Sequence, residues 1–106
     1  MILSSNKIID KRHDGDLTIT SPFILKISGI LNGNVFVQTG SNLEVTGTVN
    51  GNVHIDNNAK ANISGTVNGT VVSHGYLIVS GILKSLENFS SNITIEPNSI
   101  ISDKKY

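Results

Sequence analysis

Apolar and polar residues alternate along most of this chain, in short runs such as "NVFVQ" (34–38), "NLEVT" (42–46) and "NVHI" (52–55). Alternation with a period of two sends successive side chains to opposite faces of a strand. No window carries an apolar stripe at helical spacing, and no capping residues frame one. The apolar positions also recur at a longer interval. Leu17, Val35, Val53 and Val71 stand eighteen residues apart, as do Ile9, Ile27, Val45 and Ile63, and also Leu31, Val49 and Val67. Val79 and Leu83 continue the second and third series two residues early, which places a two-residue deletion between about Ser73 and Leu77. A fixed period near twenty marks a solenoid, whose single repeat cannot bury its apolar side alone.

Eighteen residues accommodate about three short strands with turns between them, and each such coil rises by one strand spacing, ~4.8 Å. The predicted fold is all-β: a single-stranded parallel β-helix of triangular section, with about 18 residues per coil and roughly five coils. Right-handed winding is expected, because parallel crossovers are overwhelmingly right-handed. The whole chain, 1–106, reads as one domain, with regular coils over about 15–83 and an irregular C-terminal coil and cap over about 84–106. Glycines keep the same step at Gly15, Gly33, Gly51 and Gly69, and again at Gly29, Gly47 and Gly65. They are expected at corners, where a sharp turn often needs positive φ. Asn32, Asn50 and Asn68 precede corner glycines and are expected to stack as a hydrogen-bonded ladder. Lys26 and Glu44 are one coil apart and should meet as an exposed ion pair.

The recurring unit, seen as "GILNGNV", "GTVNGNV" and "GTVNGTV", resembles the bactofilins, polymer-forming cytoskeletal proteins of bacteria. The resemblance covers about residues 15–102. It implies a right-handed β-helix whose ends stack into non-polar filaments without a nucleotide. Bactofilins commonly carry flanking tails for membrane or partner contacts, and this sequence has almost none. The left-handed coil of hexapeptide acyltransferases shares the eighteen-residue period. Apolar residues do fall every six positions here, from Leu25, Leu31 and Val37 through Leu43 and Val49 to Ile55, Ala61 and Val67. The paired glycines and V-x-I pairs fit the bactofilin unit better.

Composition narrows the functions. Eight basic and eight acidic residues balance, whereas nucleic-acid binding needs a clustered basic excess. The chain has no cysteine, so disulfides and thiolate metal sites are excluded. No segment approaches the ~20 apolar residues of a membrane span, and "MILSSNKIID" is too polar for a secretory signal. A cytoplasmic location is the expectation. Met1, Ile2 and Leu3 form an apolar tip that offers a weak membrane or partner contact, although a frayed terminus is the commoner outcome.

No nucleophile elbow, phosphate-binding loop or conventional metal-ligand spacing occurs. The expectation is a non-enzymatic protein with no catalytic residues, metal or cofactor. His54, Asp56 and His74 fall close together in the eighteen-residue register, but an exposed polar column with a weak Asp–His pair explains them more simply. Phe36, His54 and Val72 share an outward column and are candidates for lateral protein contact. The ends of a β-helix expose sheet edges and open core, which invite pairing with another chain. Ile8 and Ile9 at one end, and Leu86, Phe89 and Ile95 at the other, are the candidates for self-association. The charged segments "DKRHD" and "SDKKY", with Pro97, would blunt those edges. Two functions follow: a bactofilin-like scaffold that stacks into filaments or oligomers, or a small binding protein, such as a toxin-neutralising immunity protein, on the same coil. The partner is another copy in the first case and another protein in the second.

Overall fold

The computed structural model describes residues 2–3, 6–89, 93–97 and 99–105, with side chains described at 6–89, 93–97 and 99–102. Strands β1 (Ile2–Leu3), β2 (Lys7–Ile9) and β3 (Arg12–Asp14) form the first turn. They are followed by β4 (Leu17–Ile19), β5 (Ile24–Ile27) and β6 (Ile30–Asn32), then by β7 (Val35–Val37), β8 (Asn42–Val45) and β9 (Thr48–Val49). The next strands are β10 (Val53–Ile55), β11 (Lys60–Ile63) and β12 (Thr66–Ser73), then β13 (Tyr76–Val79) and β14 (Ile82–Asn88). β15 (Ile93–Ile95) and β16 (Ile100–Lys105) complete the chain. Every strand pairs in parallel with a strand one turn away, and the described residues contain no helix. The protein is a parallel β-solenoid of about five turns with three strand columns. One column forms the sheet β2-β5-β8-β11-β13-β15, and the other two fuse because β12 and β14 run through a corner without a break.

Register follows the repeat. Val35 pairs with Val53 and Val53 with Val71 at the eighteen-residue step, and Leu25 pairs with Leu43 likewise. Ser73 still lies opposite Ile55, but Tyr76 lies opposite Lys60, so two residues drop out between Ser73 and Tyr76. A further residue is lost where β14 passes the next corner. Val67 pairs with Leu83 but Thr70 with Ser85, because Lys84 alone replaces the Asn-Gly pair. The step returns to eighteen between β14 and β16, where Leu83 pairs with Ile101.

The inward columns make one continuous core. Leu17, Val35, Val53, Val71 and Leu86 are fully enclosed, as are Ile27, Val45, Ile63 and Val79. Each such side chain contributes roughly 1.5–3 kcal/mol relative to exposure. Ser41 and Ser73 are buried among them, and each hydroxyl donates to a backbone carbonyl, Ser41 to Gln38 and Ile19 and Ser73 to Gly75. Among the described residues no buried side-chain polar atom lacks a partner, which is what a desolvated hydroxyl requires.

The corner glycines serve a different purpose from the one expected. Positive φ occurs at Gly15, Gly40 and Asn58, so of the repeating corner glycines Gly15 alone adopts it. A Cβ at Gly47 would lie 2.1 Å from the Gly29 carbonyl oxygen, and one at Gly65 would lie 2.0 Å from that of Gly47. The rungs therefore touch backbone to backbone at this corner. The contact is fixed by shared acceptors: the Ile9 carbonyl takes the Ser28 and Gly29 N–H groups, and the Ile27 carbonyl takes those of Thr46 and Gly47.

The asparagine ladder forms, and it has a direction. Asn68 Nδ2 donates to Asn50 Oδ1 at 2.7 Å, Asn50 to Asn32 at 2.8 Å, and Asn32 to Asp14 Oδ1 at 2.9 Å. Arg12 closes the bottom of the ladder on both oxygens of Asp14, at 3.1 and 3.3 Å. A second column works through the backbone: side-chain oxygens of Asp16, Asn34 and Asn52 accept the N–H groups of Asn34, Asn52 and Thr70, each at 2.8 Å. Lys26 and Glu44 are neighbours in register, but they do not form the ion pair expected from their spacing; the ion pair among the described residues is Arg12–Asp14.

Candidate functional site

The described residues offer two kinds of surface, the lateral faces and the terminal rungs. On one lateral face Thr18, Phe36, His54, Val72 and Glu87 stand in one outward column. The Phe36 and His54 rings stack at 5.6 Å between centroids, so β7 and β10 hold two of the three lateral-contact candidates face to face. Val72, the third, follows on β12 and is half-buried. In the neighbouring column His74 stacks on Phe89 at 4.9 Å with the rings 10° from parallel. The second stack was hidden in the sequence, because the two deletions reduce the step from eighteen residues to fifteen. Both pairs keep an aromatic ring accessible, Phe89 at 66% and Phe36 at 38%.

His54, Asp56 and His74 are all exposed on this face. Among the described residues no three His, Cys, Asp or Glu side chains converge as metal ligands. His74 spends its ring face on Phe89, and His54 its own on Phe36, which makes these imidazoles parts of an aromatic surface.

The opposite sheet, β5-β8-β11-β13, carries a shallow groove of about 450 Å³ that the sequence reading missed. Ile24, Asn42, Glu44, Lys60, Tyr76 and Ile78 line it, with Lys60 Nζ 5.8 Å from the centre of the Tyr76 ring. Its components lie in two outward columns, each ordinary surface when read along a single strand.

Of the self-association candidates, Ile8 projects laterally from β2 and is 62% exposed, while Ile9 is buried in the first rung. Leu86 is fully enclosed, because β16 stacks over β14, so it is core and not an open end. Among the described residues Phe89 is the last of its outward column, and Ile95 is half-buried on the last strand of its sheet. Met1 lies outside the described residues. Ile2 and Leu3 pair with Thr18 and Ile19, so this segment is a strand of the first turn and not a frayed end. No protein-family profile, curated protein or solved structure matches this chain. No helix among the described residues is long and apolar enough to cross a membrane.

At the first rung, Asp14 gives a pH-dependent handle. The Asn32 amide donor, and after it the Arg12 guanidinium, hold its carboxyl below the ordinary carboxylate value. A group whose folded-state pKa is depressed adds stability above its unfolded pKa and loses it as pH falls through the folded one. Thermal melts from about pH 5 to about pH 2 should therefore show a steeper decline for the wild type than for Asp14→Asn. Asn keeps an acceptor for the ladder and does not titrate. Parallel curves would mean that the ladder's lower end carries no charge-dependent stability.

Proposed function

We propose that this chain is a non-enzymatic structural protein of bactofilin type, a cytoplasmic scaffold that self-associates through its terminal rungs. The observation that carries this reading is the state of the core at the C-terminal end. Ile93, Ile95 and Ile101 continue the inward columns yet remain half-buried. β15 and β16 each have a ladder partner on one side only among the described residues. Half-covered apolar columns bounded by free strand edges are the surface that another chain covers with little rearrangement.

Light scattering across concentration, with negative-stain microscopy, should show assemblies that Phe89→Arg removes. Phe89 is mostly exposed and packs chiefly on the His74 ring, so the variant should keep the far-ultraviolet spectrum and melting behaviour of the wild type. Assemblies that persist in a folded Phe89→Arg protein would exclude Phe89 from the contact, and assemblies that also persist in a folded Ile95→Arg protein would exclude this end.

The two ring stacks on one lateral face favour a second reading, a binding module of the immunity-protein kind. It requires a soluble monomer or dimer whose partner binding is lost in Phe36→Glu.

A further inference from the structure

The lateral groove on β5, β8, β11 and β13 lies away from the terminal rungs and from the ring stacks, so neither reading above uses it. Two outward columns build it. One runs Ile24, Asn42, Lys60 and Tyr76, and the other runs Glu44, Asn62 and Ile78, at one residue per rung. The four strands span three rung spacings, ~14 Å. Apolar side chains stand at the two ends, Ile24 at one and Tyr76 with Ile78 at the other, at 44, 44 and 43% exposed. The polar ones lie between them. A concavity of about 450 Å³ with apolar walls and a few convergent polar groups has the size and make-up of a small-molecule site.

The hydrogen-bonding capacity of these polar groups is unspent. At the corner the amides of Asn32, Asn50 and Asn68 are committed to their own ladder. Among the described residues the side chains of Asn42, Glu44 and Asn62 have no partner within the protein. Glu44 stands over Lys26 in register and diagonal to Lys60, yet it is ion-paired with neither. Lys60 holds its ammonium 5.8 Å from the centre of the Tyr76 ring instead, which keeps that charge within the groove.

We propose that this groove binds a neutral linear oligosaccharide of about three sugar units, laid along the solenoid axis. Charge selects the neutral ligand. A bound anion would face the Glu44 carboxylate, and a bound cation would face Lys60 and Lys26. Neighbouring hydroxyls escape both, because one donates to Glu44 while the next accepts from Lys60. The amides of Asn42 and Asn62 donate and accept in the same way. Main-chain recognition of an extended peptide requires a free strand edge, whereas β5, β8, β11 and β13 are each paired on both sides. The Tyr76 ring and Ile78 supply apolar area for the C–H face of a sugar ring. The rung spacing is close to the length of one pyranose unit, so successive units meet successive rungs. In so shallow a groove the dissociation constant should be on the order of 1 mM.

Titration of the full chain with maltotriose, cellotriose and chitotriose, followed by backbone amide NMR shifts, tests this. At least one of the three should give saturable shifts confined to β5, β8, β11 and β13. Glucose at equal mass concentration should not. Tyr76→Ala should weaken that binding by about tenfold or more, with an unchanged circular dichroism spectrum. The wild type should exclude trigalacturonate and Glu44→Gln should admit it, a gain that misfolding cannot imitate. Absence of saturable shifts with all three neutral sugars overturns the proposal, as does undiminished binding in folded Tyr76→Ala. Equal shifts with glucose mean a general polyol effect and overturn the three-unit site. Trigalacturonate bound by the wild type, or still excluded by Glu44→Gln, overturns selection by the Glu44 charge. A groove that saturates with the tripeptide Gly-Tyr-Gly and not with the sugars is a peptide site, and overturns the ligand class.

Discussion

Ile63→Lys is expected to abolish cooperative folding, whereas Asn62→Lys, one residue away, should leave the melting temperature within about 3 °C of wild type. Ile63 is fully enclosed, with Val45 beneath it and Val79 above it in the same inward column. A lysine there loses the apolar burial and places an ammonium among side chains that offer no acceptor. The loss should exceed about 4 kcal/mol, set against the 5–15 kcal/mol that typically separates folded from unfolded domains. A solenoid has no second core to fall back on, since each turn is held only by its neighbours. Asn62 projects outward between Glu44 and Ile78, so a lysine there gains a nearby carboxylate and keeps its head in water. Thermal melts followed by circular dichroism separate the cases. Equal destabilisation by the two variants would mean that the inward and outward assignments of β11 are wrong.

That contrast tests the part of the fold that was legible in the sequence. The three apolar columns and the deletion after Ser73 all follow from one period, because a slip of one residue would turn every Val and Ile in a strand from core to solvent. What depended on breaks in the period was hidden. The loss of a third residue at Lys84 shifts the register, and only then does Phe89 reach His74. The ladder's lower end was hidden for a chemical reason. Asp14 occupies the same column as Asn32, Asn50 and Asn68, but a carboxylate accepts and cannot donate, so it ends the donor chain and recruits Arg12. The candidate surfaces were partly legible. Phe36 and His54 stand eighteen residues apart and stack as their spacing implies, whereas the lateral groove joins residues from two columns that no one-dimensional pattern links. Leu86 looked like an end residue because its repeat degenerates, yet the strand that covers it, "IISDKK", carries little apolar signal.

Gly65→Ala should lower stability by about 3 kcal/mol or more, a fall in melting temperature on the order of 15 °C, although it adds a single methyl group at a half-buried site. The added Cβ would lie 2.0 Å from the Gly47 carbonyl oxygen and 2.8 Å from the Thr46 carbonyl carbon, both backbone atoms with no rotamer to yield. Relief requires lifting one rung from the next. Three hydrogen bonds resist it: Ser64 N–H and Gly65 N–H to the Val45 carbonyl at 2.8 and 2.9 Å, and Thr66 N–H to the Gly47 carbonyl at 2.9 Å. Asparagine separates this cause from the conformational one, because it tolerates positive φ better than alanine but brings the same Cβ. If close approach is the reason for glycine, Gly65→Asn should be at least as damaging as Gly65→Ala. Gly40 supplies the opposite case, with φ at +82° and the nearest obstacle a serine hydroxyl that can rotate away. There Gly40→Asn should be milder than Gly40→Ala. A Gly65→Asn protein that melts well above Gly65→Ala would mean that this corner selects glycine for its backbone angles, and the backbone contact between rungs would lose its place as the constraint that sets the repeat.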